Sequence, residues 1–376
     1  MEKLRIGVLT GGGDCAGLNS AAKWIVKSAT DSRLEKERGV QYEVIGIREG
    51  WQGLVLPPPD TFDESGHVCI LNEDIVRTWD RHGGTNLGSS RTNPYNPNDD
   101  QSATVKENIE KLGLHAVIAI GGDDTLGVAG RLAAEGVNVV GIPKTIDRDL
   151  PMTEYTLGYE TALNVITEEA DRLRTYAGSH KVVFVIETMG RHAGWLALEG
   201  GESAGAFIIL IPEYDFSMDR VNELVLEGVN KGNRYNIITV AEGASPAGET
   251  MVTLEKEQDA FGHVYLGGIG KYVADEIEKG TGLMTRSMAL GYLQRGGAPC
   301  AYDRRMGRYF GIAAVDLIVQ QNFGRMVSYM NGKITSVPIV DIVGKTRLVD
   351  VNTQYDTERL NGRRTILTIE ETSRVL

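Results

Sequence analysis

Two carboxylates, a lysine and a hydroxyl fall within one short run, Pro143-Lys144-Thr145-Ile146-Asp147-Arg148-Asp149. A carboxylate in such a loop can take a proton from a substrate hydroxyl, and a lysine beside it can stabilise negative charge spread over a phosphoryl group in transfer. A second acidic run, Gly121-Gly122-Asp123-Asp124-Thr125, lies upstream. Glycines between a strand and a helix expose backbone amides at the positive end of the helix dipole, which suits phosphate. Two aspartates in that turn need a reason: a divalent cation for one, repulsion of an unwanted phosphate for the other. The turn also suits an acidic N-cap, and the Lys144 loop a solvated charged loop.

These runs follow His115–Ile120 and Val137–Ile142, two of seven apolar stretches that read as strands. The others are Arg5–Leu9, Tyr42–Ile47, Val182–Ile186, Phe207–Ile211 and Asn236–Val240. They alternate with amphipathic stretches, among them a helix over Leu126–Ala134. Runs continuous in Val and Ile fit parallel strands covered on both faces by helices, so an α/β fold is expected. In such sheets the chemistry gathers past the carboxyl ends of the strands, where the strand order reverses.

A chain of 376 residues predicts two domains. The N-terminus passes directly into a strand and no apolar run approaches membrane-spanning length, so a cytoplasmic protein without membrane contact is expected. Cys15, Cys69 and Cys300 show no paired spacing, which predicts reduced thiols rather than a disulfide framework or zinc site. A net charge of −12 argues against nucleic acid as a partner. Anionic small molecules remain open, since a few local cations capture them.

Further candidates sit after other strands. Thr10-Gly11-Gly12-Gly13-Asp14 is a second glycine turn, without dinucleotide spacing. Thr188-Met189-Gly190-Arg191-His192 and Ala241-Glu242-Gly243 end two later strands. Arg91, Arg286 and the run Leu290-Gly291-Tyr292-Leu293-Gln294-Arg295 add cations beside glycines. Each arginine alone reads equally as a surface ion pair; together they suit a sugar phosphate, with guanidinium groups for phosphate and a carboxylate for hydroxyls. His192 reads as a packing or hydrogen-bonding residue and Met189 as core filler.

In order from Ile6 to about Gly311, these motifs resemble the phosphofructokinase family. In that family GGDGS with PGTID goes with ATP, and GGDDT with PKTID goes with diphosphate; this chain carries the second pair. The resemblance implies Mg²⁺-dependent, reversible phosphoryl transfer from diphosphate to the 1-hydroxyl of fructose 6-phosphate. Asp147 is then the base and Asp149 its support. Gly12, Asp124 and Lys144 form the diphosphate site, with Asp124 excluding ATP. Asp123 holds Mg²⁺, and Arg91 meets the phosphoryl group. Thr145, Ile146, Asp147, Met189, Gly190, Arg191, Glu242, Arg286, Tyr292 and Arg295 bind the sugar phosphate. It also implies two similar Rossmann-like three-layer domains with mainly parallel sheets and the site in their cleft. Residues 1–158 plus about 294–344 would bind the donor, and 159–293 plus about 345–376 the sugar phosphate. A homodimer or homotetramer is implied, with neighbouring subunits completing the site.

Three departures stand out. Arg148 replaces an Asn between the two carboxylates, which is expected to lower the pKa of Asp147. Val182 stands where the family offers an arginine, and Tyr292 where it offers a histidine. They keep open an ATP-dependent 6-phosphofructokinase, a diphosphate-dependent kinase of sedoheptulose 7-phosphate, and a non-catalytic regulatory subunit. Lys345, Arg347, Arg363 and Arg364 in the final stretch are candidates to face a partner or the site.

Overall fold

The computed structural model describes residues 2–64, 66–248, 253–258 and 264–365. In chain order, its main strands are β1 Glu2–Thr10, β2 Val40–Ile47, β3 Val68–Leu71, β4 Leu114–Gly121, β5 Val139–Pro143, β6 Val183–Thr188, β7 Ile208–Leu210, β8 Asn236–Ala241, β9 Thr285–Ala289, β10 Arg325–Met330 and β11 Lys333–Pro338. The longer helices are α1 Leu18–Ala29, α2 Ser102–Lys111, α3 Asp123–Ala134, α4 Tyr159–His180, α5 Trp195–Ser203, α6 Met218–Asn230, α7 Ile269–Thr281 and α8 Ala301–Val319. All seven runs expected to be strands are strands. Helix α3 begins three residues before the expected Leu126, taking Asp123 and Asp124 into its first turn.

The chain divides into two compact units: residues 1–162, 256–265 and 292–347, and residues 163–255, 266–291 and 348–376. The first holds a seven-stranded sheet in the order β11-β10-β5-β4-β1-β2-β3. Its five central strands are parallel, and β3 and β11 are antiparallel edges. Chain order reverses between β1 and β4: the chain leaves β1 toward β2 on one side and β4 toward β5 on the other. Both glycine turns therefore emerge at this switch point, where an open α/β sheet leaves room for a ligand.

Burial explains why these strands form. Val117, Ala119 and Leu9 join Leu126, Leu132, Val139 and Ile339 in one buried cluster under α3. Each such aliphatic side chain contributes about 1.5–3 kcal/mol on leaving water. On the other face, α8 packs against α1 unusually closely. A Cβ on Gly307 would lie 2.7 Å from Ser20 Cβ, and one on Gly311 would lie 2.7 Å from Ala21 O. Glycine at 307 is thus required by the close packing of α8 on α1, the helix that follows the first glycine turn.

The second unit holds a parallel sheet in the order β9-β6-β8-β7. Strands β6 and β8 are buried throughout. Its switch point lies between β6 and β8. The segment from Leu348 covers the β7 edge: Ile209 N donates to Leu360 O at 2.8 Å, and the buried Tyr355 donates its hydroxyl to Ile209 O at 2.6 Å. The part of that stretch beyond residue 365 lies outside the described residues. No helix among the described residues is long and apolar enough to cross a membrane. All three cysteines are free.

Candidate active site

In the first unit, the turn after β1 is pinned by its own amides. Gly11 N donates to Ile120 O at 3.0 Å and Gly12 N to Ser90 O at 3.2 Å. Those two amides are consequently not offered to a ligand, contrary to the simple phosphate-cradle picture. The turn is instead lined with cations. Lys144, which is buried, donates from Nζ to Gly11 O at 2.8 Å and to Gly13 O at 2.5 Å. Gly12, between those carbonyls, has φ +78°, a conformation that glycine adopts without strain. Burial pulls the Lys144 pKa down to about 8. Arg295 Nη1 donates to Asp14 O at 3.1 Å.

An open pocket of about 440 Å³ lies over this turn, lined by Gly12, Gly13, Ser89, Ser90, Arg91, Tyr292 and Arg295, together with Asp14 and Thr85. Tyr292 and Arg295, assigned from the resemblance to the sugar phosphate, thus share a pocket with Gly12 and Arg91, assigned to donor and phosphoryl group.

The neighbouring turn brings Asp123, exposed, and Asp124, half-buried, to the first two positions of α3. The helix dipole stabilises both there. Among the described residues, no three His, Cys, Asp or Glu side chains group closely enough to cage a metal. One exposed carboxylate at this turn nonetheless fits Mg²⁺, which takes one or two carboxylates and completes its shell with phosphate oxygens and water.

The Lys144 loop leaves β5 beside these turns, with Lys144 N donating to Gly121 O at 3.0 Å. Asp147 is buried. Its amide donates to Thr145 Oγ1 at 3.1 Å, and Thr145 Oγ1 donates to its Oδ2 at 3.2 Å. Its Oδ1 is buried with no hydrogen-bond partner among the described residues. A buried acceptor left over in this way is costly unless a ligand completes it. Ile146 is fully buried, backbone included, so the structure does not expose it to a substrate as the resemblance implied. Arg148, at φ +55°, donates from Nε to Glu154 O at 3.1 Å and lays its guanidinium 5.0 Å from the Tyr159 ring centroid. Asp149 accepts Arg347 N on its carbonyl at 2.6 Å.

In the second unit, the ends of β6 and β8 bring Met189, Gly190, Arg191 and Glu242 together. Arg191 N donates to Glu242 Oε1 at 3.0 Å, and Glu242 N to Thr188 O at 2.8 Å. Met189 is half-buried at this end rather than core filler, and His192 is exposed, so it is not a packing residue. Arg286 is not in this cluster. It pairs in register with Phe184, four residues before Thr188 and so about 13 Å back along the strand. Val182 is buried at that same end, beside the exposed Lys181.

Sequence reasoning passed over Glu187 and Glu213. Glu187 accepts Gly268 N and Gly270 N, the latter at 2.8 Å, at the start of α7; Glu213 accepts Gly194 N at 2.9 Å at the start of α5. An acid closing a buried strand just before a glycine loop was the available signal for the first. Lys23 donates to Asp80 Oδ1 at 2.8 Å and Lys27 to Glu73 Oε2 at 2.9 Å, so these α1 cations are matched by local acids.

A family model described as phosphofructokinase matches residues 5–318. The chain belongs to the phosphofructokinase family. It is therefore an enzyme that transfers phosphoryl groups. It is 44% identical to pyrophosphate--fructose 6-phosphate 1-phosphotransferase of Amycolatopsis methanolica, covering 92% of this chain and 96% of that one. Identity to ATP-dependent 6-phosphofructokinase 3 of Streptomyces coelicolor is 40%, covering 92% and 96%. Among solved structures, the pyrophosphate-dependent phosphofructokinase of Marinobacter aquaeolei superposes with a TM-score of 0.77 over 97% of this chain and 89% of that one; at 20% identity it speaks for the fold.

Proposed function

We propose that the protein moves a phosphoryl group reversibly between diphosphate and the 1-hydroxyl of fructose 6-phosphate, as a cytoplasmic homo-oligomer. The observation that carries this reading is the buried Lys144 ammonium, clamped to both carbonyls flanking Gly12, with Asp124 on the adjacent helix start. The pair puts a fixed positive charge where a small polyanion sits and a negative one where a longer donor would extend. A carboxylate held about 4 Å from an α-phosphate costs about 4 kcal/mol at an intermediate dielectric, roughly a thousandfold in affinity. The relatives named for pyrophosphate support the same donor.

The first unit binds the donor and carries the base, and the second supplies Met189, Gly190, Arg191 and Glu242 to the sugar phosphate. Asp147 Oδ1 accepts the proton of the 1-hydroxyl, whose oxygen attacks the terminal phosphorus while the bridging P–O bond breaks and orthophosphate leaves. Lys144 and Arg91 stabilise the charge on the phosphoryl oxygens, with Asp149 supporting. Tyr292, Arg295 and Thr145 hold the sugar phosphate where it approaches the donor pocket. Asp123 would hold Mg²⁺, which neutralises charge on the donor oxygens. Arg286, at the far end of β6, suits the site of a neighbouring subunit.

The deciding experiment compares initial rates with diphosphate and with ATP, using fructose 6-phosphate and Mg²⁺, in wild type and Asp124→Gly. Wild type is expected to use diphosphate alone, and Asp124→Gly to gain measurable ATP turnover. Turnover with ATP in wild type would overturn the donor assignment.

A further inference from the structure

Asp303 lies at the third position of α8 and is completely buried. Its Oδ1 accepts the Tyr155 hydroxyl at 2.6 Å and Gly158 N at 2.7 Å; its Oδ2 accepts Thr161 N at 3.0 Å and Thr161 Oγ1 at 2.6 Å. Burial pushes its pKa up, and these four donors oppose that shift. Tyr155 and Gly158 belong to the segment that links the Asp147 loop to α4, and Thr161 to the first turn of α4 itself.

That segment in turn grips the loop. Thr156 Oγ1 donates to Thr145 O at 2.6 Å, and Leu157 N donates to Pro143 O at 3.1 Å. Thr145 then holds both the amide and one oxygen of Asp147. Helix α8 is fixed against α1 by the contacts at Gly307 and Gly311, and a Cβ on Gly17, at the start of α1, would lie 3.4 Å from Asp303 Oδ1. One buried carboxylate therefore ties the helix after the first glycine turn to the loop that aims the base.

We propose that Asp303 is a positioning residue for phosphoryl transfer: by gathering Tyr155, Gly158 and Thr161 it sets the aim of the Asp147 carboxylate. The inference rests on Asp147 acting as the base. Four convergent bonds leave the loop little freedom, and a small misplacement of a reacting group is enough to cost rate.

Tyr155→Phe tests it in the full chain, because it removes one donor and keeps the ring that packs edge-on to Tyr302. Expected are faster deuterium exchange at residues 145–148 and a kcat lowered by about 5- to 10-fold, with both KM values within about twofold of wild type. Asp303→Asn is expected to do the same more strongly. If it fails to fold, Tyr155→Phe alone decides. Faster exchange with unchanged kcat would make Asp303 purely structural, and unchanged exchange would remove the link to the loop; either overturns the proposal. The exchange is read without substrate, so an inactive wild type would count against the donor and acceptor assignment and leave this readout standing.

Discussion

In the first unit, backbone carbonyls at the switch point are held by cations: Gly11 and Gly13 by Lys144, Asp14 by Arg295. In the second, backbone amides are held by carboxylates: Gly268 and Gly270 by Glu187, Gly194 by Glu213, Arg191 by Glu242. A cation on a carbonyl keeps its charge for a ligand, whereas a carboxylate on an amide uses up a donor that a phosphate would otherwise take. Under the proposed function, the same α/β scaffold would serve a polyanion at one switch point. At the other, it would leave phosphate to arginine side chains and carboxylate oxygens to hydroxyls.

Unlike the exposed Asp123 and the half-buried Asp124, Asp147 is a buried carboxylate whose Oδ1 has no hydrogen-bond partner among the described residues, and the comparison is broken hardest there. Asp147→Ala is expected to lower kcat by about two or more orders of magnitude with the melting temperature near that of wild type. Rates of the purified variant with diphosphate and fructose 6-phosphate check this. Near-normal turnover would mean that the unpartnered oxygen is not a base.

A second test varies the charge on Lys144. Its ammonium is protonated below about pH 8 and neutral above, because burial lowers the pKa. Donor kcat/KM is therefore expected to fall by about tenfold per pH unit on the alkaline side of that value. Lys144→Arg, measured over the same pH series, controls for ionisation of diphosphate itself, since its guanidinium stays charged. A matching bend in both proteins would assign the fall to the ligand. The stability linkage has the opposite sign. Between about pH 8 and 10.5 the unfolded chain holds the Lys144 proton more tightly, so this group adds stability as pH rises through that window.

Much of this contrast was legible in the sequence. The apolar runs announced every strand buried on both faces, and the residues after them announced most of the candidate site. Strands β9 and β10 were missed because TRSMA and RMVSYM mix polar and apolar residues; β9 lies at a sheet edge, where burial does not enforce a pattern. The turns of Arg148 toward Glu154 and Tyr159 were invisible because a side chain's direction depends on a backbone angle that composition does not encode. The hub at Asp303 was not legible, since the donors that meet it lie about 140 residues upstream.

The smallest expected effect probes the carboxylate side. Glu187→Gln keeps the shape but replaces one acceptor oxygen by an amide that faces Gly268 N and Gly270 N. Loss of a charged cap at a helix N-terminus costs about 0.5–2 kcal/mol, or a Tm about 2–4 °C lower per kcal/mol. Because Glu187 immediately precedes Thr188 and Met189, the disturbance should reach the sugar-phosphate residues of the same unit first. Its backbone carbonyl also accepts Leu290 N at 3.0 Å. The expected result is a KM for fructose 6-phosphate raised by about two- to fivefold with the KM for diphosphate unchanged. A change confined to the diphosphate KM would contradict the division of labour proposed for the two switch points.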